Sequence, residues 1–347
     1  MAKRVKLELN PSCVHNHLIA TQARAMAYDG GDVKSWQRRL RNKVKELTGF
    51  DRMPAGKDRI GLNVRSLWKR EHKLGTIEKI AFASEAHCDV PAYVCLPKNA
   101  APPYKWFICV QGHSTGMHNS ISVDFETNTR KIKVEGDRDF ALTCMTRGMA
   151  GLCIEQRGFG ERKWVWGKKH VTGSDDQAGM HALQLGRTMI AERVFDVDRG
   201  IDYLASRRDV RMNRIGIMGN SGGGTISMFS AAMLPRLAYC MPSCYFCSFE
   251  HSIMAMPHCG CNFVPGLLAE AEMSDVMGLF APKPVVIVVG RKDDIFPISA
   301  SRRQFALLKD IYAAAGAPGN CKFVVGDGGH QFYAKQGWDA MCKFTSK

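Results

Sequence analysis

From about residue 74 onward the chain alternates short apolar, β-branched runs with helix-compatible stretches, and this alternation restricts the fold more than any other feature. Runs of strand character fall at 76–83, 91–96, 106–111, 150–155, 214–218, 237–242, 284–289 and 321–325. Helical stretches lie near 137–148, 180–206, 222–234, 300–315 and 331–344. Strands that alternate with helices predict an α/β fold with a mainly parallel, eight-stranded sheet and helices on both faces. The run VVIVVG (285–290) is apolar almost throughout, as a parallel strand covered on both faces should be. In such sheets ligands bind beyond the carboxyl ends of the strands, so the residues just after each run are where chemistry is expected. Residues 1–75 read differently. They are polar, with one amphipathic helix from an Asp32 N-cap to Gly49 whose stripe is Trp36, Leu40, Val44 and Leu47. This segment reads as an N-terminal helical extension on a catalytic body spanning 76–347.

Directly after the run RIGIM comes Gly219-Asn220-Ser221-Gly222-Gly223, followed by the helix-compatible GTISMFSAAML. A G-x-S-x-G between a strand and a helix is the setting of a nucleophile elbow. The glycines are needed because Cβ atoms at 219 and 223 would collide where strand and helix cross. A serine hydroxyl needs a base, and the base needs an anionic partner to hold its tautomer. The chain order serine, acid, histidine is met at strand ends: Asp293 after VVIVVG, with Asp294 as its substitute, and His330 after CKFVV. Gly222 N–H and a second N–H from the loop after WFICVQ, best placed at His113, are the expected oxyanion donors.

These residues resemble the α/β-hydrolases, and more narrowly the dienelactone-hydrolase-related, acetyl-xylan-esterase-like group called α/β-hydrolase family 7. The resemblance rests on VQGHSTGMHNSI, EQRGFGER, GRTMIAERVFDVDRGIDYL, GIMGNSGGGT, PHCGCNFVPGLL, FAPKPVVIVVGRKDDIFPI and GGHQF, in the expected order over roughly residues 70–345. It implies an α/β-hydrolase fold and serine hydrolase chemistry on esters. By position it makes Ser221 the nucleophile, Asp293 the acid and His330 the base, with Gly222 and His113 at the oxyanion hole. Dienelactone hydrolases proper use a cysteine nucleophile, so the serine here argues against that literal activity.

The expected activity is a serine carboxylesterase that cleaves a short, acetyl-like acyl ester of a sugar or small molecule. The same triad acting on an amide, thioester or carbon–carbon bond is one alternative, and a non-catalytic binding protein of this fold is another. Loops leaving the strand ends supply Trp164, Trp166, His258 and Phe263 as candidate substrate contacts. The net charge of +15, from 48 Lys and Arg against 33 Asp and Glu, raises the question of nucleic acid. The basic residues are scattered without aromatic interleaving, so nucleic acid is not an expected partner, and no segment approaches about 18 uninterrupted apolar residues, so neither is a membrane. Lys168, Lys169 and Arg291 are the cations expected on the active-site side, where they would attract an anionic substrate. A homo-oligomer is compatible with the sequence. Thirteen cysteines, several inside apolar runs, read as buried thiols of a reducing cytoplasm. Cys244-x-x-Cys247 with His258-Cys259-x-Cys261 has ligand types and spacing suited to tetrahedral zinc. Against that, Cys244 and Cys247 follow a core strand directly and a serine triad needs no metal, so neither metal nor cofactor is expected.

Overall fold

The computed structural model describes residues 7–166, 169–170 and 173–346. Its strands are β1 (Arg65–His72), β2 (Gly75–Glu85), β3 (Cys88–Pro97), β4 (Tyr104–Val110), β5 (Ala150–Ile154), β6 (Val165–Trp166), β7 (Lys169–His170), β8 (Val210–Asn220), β9 (Tyr239–Ser243), β10 (Val285–Gly290) and β11 (Cys321–Gly326). The helices are α1 (Pro11–Thr21), α2 (Val33–Thr48), α3 (Phe140–Thr146), α4 (Ser174–Gln184), α5 (Met189–Ala205), α6 (Gly222–Met233), α7 (Leu267–Glu270), α8 (Met273–Gly278), α9 (Ile298–Ala314) and α10 (Ala334–Thr345). Nine strands form one sheet in the order β1-β2-β3-β5-β4-β8-β9-β10-β11, and β6 pairs with β7 apart from it. The pairings from β5 to β11 are parallel, whereas β1–β2, β2–β3 and β3–β5 are antiparallel. The α/β-hydrolase fold class stands, with one strand more than the eight expected. The additional strand is β1, Arg-Ser-Leu-Trp-Lys-Arg-Glu-His. It is an edge strand with charged side chains in solvent, which protects the sheet from pairing with another chain and hides the strand from an apolar search.

Side chains alternate between two cores. In β8, Ile215 and Ile217 face the layer containing α2, α5, α6, α8 and α9, while Met218 faces the layer of α3 and α10. In β10, Val285, Ile287 and Val289 join the first core and Val286 and Val288 the second, the period-two pattern of a strand buried on both faces. The α3/α10 layer is rich in sulfur: Cys95, Cys109, Cys144, Cys153, Met145, Met218, Met241 and Met341 are all buried there.

α2 is the helix expected near the N-terminus. Asp32 caps it, accepting from Ser35 N–H, and Gly49 at φ 73° closes it. Trp36, Leu40 and Val44 are buried in the first core, and the helix is fastened laterally by polar contacts. Gln37 Nε2 donates to the carbonyls of Gly278 and Ala281, and Arg41 Nε to that of Ala232. The single helical stretch expected over 180–206 divides into α4 and α5. Gly186 turns at φ 73°, and Thr188 Oγ1 accepts from Ala191 N–H to start α5.

Two of the segments quoted for the resemblance meet in an ionic cluster behind the sheet ends. Arg157 pairs with Glu85, Glu192 and Asp196, and Arg162 also reaches Asp196 at 2.6 Å. Burial works against the Asp196 carboxylate, but the two guanidinium groups hold it down at about 2. The cluster ties the loop after β5 to α5.

Candidate active site

β4, β8, β10 and β11 lie side by side through β9, and the residues after their carboxyl ends converge. Ser221 follows β8 and heads α6 with φ 57° and ψ −122°, a region that a non-glycine residue occupies only when its surroundings impose it. The surroundings are close-packed backbone. A Cβ on Gly223 would overlap the Val110 carbonyl oxygen, and one on Gly219 would lie 2.6 Å from the Gly223 carbonyl. Ser221 N–H donates to the Ser243 carbonyl at 2.9 Å, and Ser243 Oγ donates to Asn220 Oδ1 at 2.8 Å, so β9 braces the turn. The Ser221 side chain is therefore carried at the amino end of α6, where the helix dipole favours negative charge.

Asp293 is almost fully buried. Its Oδ1 accepts from the N–H groups of Ile295 and Phe296, and its Oδ2 lies 2.9 Å from His330 Nδ1. Asp294, the substitute, is exposed. The loops that carry the pair interlock: Arg291 N–H donates to Gly326 O, Lys292 N–H to Gly328 O, and Tyr333 Oη to Gly329 O. The Phe296 ring stacks on His330 at 5.6 Å between centroids. Cys244, at φ 45°, also belongs to this neighbourhood, its Sγ within 4.8 Å of ligating atoms of Asp293 and His330. Burial, reinforced by the Asp293 charge, pushes its thiol up to about 12. At neutral pH Cys244 is a thiol, not a thiolate.

The loop after β4 presses on the elbow from the other side. A Cβ on Gly112 would lie 2.7 Å from Asn220 O, and one on Gly222 would lie 2.8 Å from the His113 ring and 3.6 Å from His113 N. The main chains of Gly222 and His113 are thus neighbours beside Ser221. Beneath this loop sits Glu155, 1% exposed, which accepts from the N–H groups of Met117 at 2.9 Å and Glu161 at 3.2 Å. Burial outweighs those two donors and raises its carboxyl to about 7.

The expected substrate contacts are distributed differently. His258 reaches the site: its ring packs on the edge of Phe296, the ring that stacks on His330, and its Nδ1 lies 3.0 Å from Asn262 Nδ2. Trp164 packs edge-on against His181 of α4, at 4.6 Å. Phe263 is 40% exposed. Lys168 lies outside the described residues, as do the side chains of Trp166 and Lys169. Arg291 pairs with Asp327 at 3.1 Å, which offsets its charge.

The cysteine quartet suggested by spacing does not assemble. Cys244 Sγ donates to Gln331 O, and Cys247 Sγ turns to Pro297 O, each held by the strand-end turn it follows. Cys259 and Cys261 instead meet His113 and Asp175. His113 Nε2 lies 3.1 Å from Cys261 Sγ and 3.2 Å from Asp175 Oδ2. Burial opposes a charged His113, but the carboxylate and the sulfur beside it bring the ring up to about 9. Sequence reasoning missed Asp175 and Glu155, since neither follows a nucleophile or base motif. The available signal was that Glu155 closes a strand run and Asp175 opens a helix after the next loop.

Known proteins bear on this geometry. The Abhydrolase family model (Abhydrolase_7) matches residues 10–331. YtaP of Bacillus subtilis (strain 168), whose name assigns it provisionally as a hydrolase, is 26% identical over 278 residues, covering 79% of this chain and 88% of that protein. A Bacteroides fragilis crystal structure provisionally titled an acetyl xylan esterase superposes with a TM-score of 0.75 at 15% identity, covering 97% of this chain and 85% of that one. A glucuronoyl esterase from Solibacter usitatus superposes with a TM-score of 0.65 at 14% identity, covering 94% and 98%.

Proposed function

Since the chain belongs to the Abhydrolase family, we propose that it is a serine carboxylesterase cleaving a short, acetyl-like acyl ester of a sugar or small molecule. The observation that carries this reading is the His330 Nδ1 to Asp293 Oδ2 contact of 2.9 Å, made beside a serine held on a strained, glycine-flanked turn. Asp293 accepts the Nδ1 proton, which leaves the Nε2 lone pair of His330 as the base. His330 takes the Ser221 hydroxyl proton as Oγ attacks the ester carbonyl. The oxyanion that develops is received by the N–H groups of Gly222 and His113, each worth about 3–4 kcal/mol in systems where one such donor has been removed. His330 then returns its proton to the leaving alcohol, and water repeats the sequence on the acyl-serine.

Cys244, the other nucleophilic atom near His330, stays protonated through burial and so does not compete with Ser221. The superposed proteins named as acetyl xylan and glucuronoyl esterases share this fold, which supports a sugar ester as the substrate. All thirteen cysteines are unpaired, in keeping with a reducing compartment such as the cytoplasm. Among the described residues no helix is long and apolar enough to cross a membrane.

Ser221→Ala tests the reading. The variant should lose hydrolysis of p-nitrophenyl acetate and covalent labelling by a fluorophosphonate probe. Retention of either one would reject Ser221 as the nucleophile.

A further inference from the structure

Four side chains able to ligate a metal converge beside the loop that carries His113. His113 stands on the loop after β4, Asp175 in the first turn of α4, and Cys259 and Cys261 on the loop between β9 and α7. Five of the six separations among their donor atoms are short. His113 Nε2 to Cys261 Sγ is 3.1 Å, His113 Nε2 to Asp175 Oδ2 is 3.2 Å, and Cys259 Sγ to Asp175 Oδ2 is 2.8 Å. Cys259 Sγ to Cys261 Sγ is 3.1 Å, and Cys261 Sγ to Asp175 Oδ2 is 3.7 Å; all four donors lie within 4.8 Å of one another. Metal–ligand bonds of about 2.3 Å to sulfur and about 2.0–2.1 Å to nitrogen or oxygen place tetrahedral donors roughly 3.3–3.8 Å apart. The observed set needs shifts of only a few tenths of an ångström, up to about 0.7 Å, along these edges.

The surroundings are those of a built site. Asp176 Oδ1 accepts from Gly260 N–H and so holds the Cys259-Gly260-Cys261 turn against α4. Arg193, 2% exposed, points Nη1 at Cys261 Sγ from 3.3 Å, while its Nε and Nη2 donate to Arg157 O. Two thiolates, one carboxylate and a divalent ion sum to one negative charge, which this guanidinium offsets. The contrast within the chain is clear: Cys95, Cys109, Cys144 and Cys153 lie in the apolar second core, whereas Cys259 and Cys261 face imidazole and carboxylate.

We propose that His113 Nε2, Asp175, Cys259 and Cys261 bind one zinc ion. Two thiolates with imidazole and carboxylate select zinc over the hard cations magnesium and calcium. Binding replaces the S–H protons of Cys259 and Cys261 with Zn–S bonds and releases them to solvent, with no change of oxidation state. Four protein ligands close the coordination sphere, so the ion is structural. It joins two loops to the first turn of α4, and because His113 is one ligand, it fixes the segment whose N–H neighbours Gly222. That last consequence rests on the esterase reading, whereas the site itself does not.

Protein expressed in zinc-supplemented medium and purified under reducing, chelator-free conditions should carry about one zinc per chain by inductively coupled plasma mass spectrometry. Cobalt exchanged into it should show thiolate-to-metal charge transfer and intense tetrahedral d–d absorption. The Cys259→Ser/Cys261→Ser double variant should lose the metal, and Asp175→Asn, checked for folding by circular dichroism, should bind it more weakly in chelator competition. Metal-free wild-type protein with both thiols free, a Cys259–Cys261 disulfide in peptide mapping of that preparation, or undiminished zinc in the folded variants would overturn the proposal. Stoichiometric zinc in a protein without esterase activity would support the site and reject only the esterase reading.

Discussion

Glu155 converts the burial of one carboxyl into a measurable pH dependence. Its ordinary value of 4.5 is raised to about 7 by burial beneath the loop after β4. At about 1.36 kcal/mol per pH unit, that displacement corresponds to about 3 kcal/mol between its neutral and ionised forms. The folded state holds the proton more tightly than the unfolded chain does. The stabilising contribution is therefore complete below about pH 4.5 and is lost as pH rises towards about 7, after which it no longer changes. Glu155→Gln removes the titration and keeps one acceptor oxygen. It should carry a fixed cost, because an amide NH2 replaces the oxygen that accepts from Glu161 N–H. Superimposed on that cost, the stability of the variant relative to the parent should rise by about 3 kcal/mol from acid to pH 8. Urea unfolding of both proteins at several pH values between 4.5 and 8 reads the difference directly, provided their m-values agree. A difference that stays constant across that range, or falls, would refute the argument that burial dominates the two backbone donors.

Gly223→Ala should destabilise the fold by about 1–3 kcal/mol or more and abolish ester hydrolysis, because its Cβ meets the Val110 backbone and not a side chain that can move aside. Gly319→Ala, whose Cβ meets nothing within 4 Å, is the control, and equal behaviour of the two in unfolding and activity assays would discount the steric account of the elbow. Asp196→Ala leaves Arg157 and Arg162 buried without their shared carboxylate and should cost roughly 3–5 kcal/mol in denaturant unfolding. A loss below about 1 kcal/mol would mean that Glu85 and Glu192 suffice to hold Arg157.

The parallel half of the sheet was legible because its strands carry apolar, buried central runs, and the order of the site residues because each follows a strand end. The pairing of His330 with Asp293 and not Asp294 was also within reach, as the residue three past Gly290 turns inward to accept from Ile295 and Phe296. β1 was not legible, since an edge strand exposed to water has no reason to be apolar. The partners of Cys259 and Cys261 were hidden for another reason. Spacing along the chain reports ligands on one loop, and it wrongly offered Cys244 and Cys247. His113 and Asp175 come from elements 148 and 84 residues away from the sulfurs they touch. The strain at Ser221 was foreseeable from its glycines, whereas Glu155 is the polar end of a strand run whose burial only the folded chain reveals.

The sulfur-rich layer of α3 and α10 has a mechanical meaning for the loop that carries His330. Unbranched thioethers adapt their shape at little cost, and sulfur side chains make up a larger share of this layer than of the opposite one, which itself holds Met228, Met233, Met273 and Met277. Behind Phe332 and Tyr333, which close the His330 loop, the packing is therefore compliant. Small changes of volume in this layer are expected to be taken up by rotation of its methionine side chains beside the His330 loop.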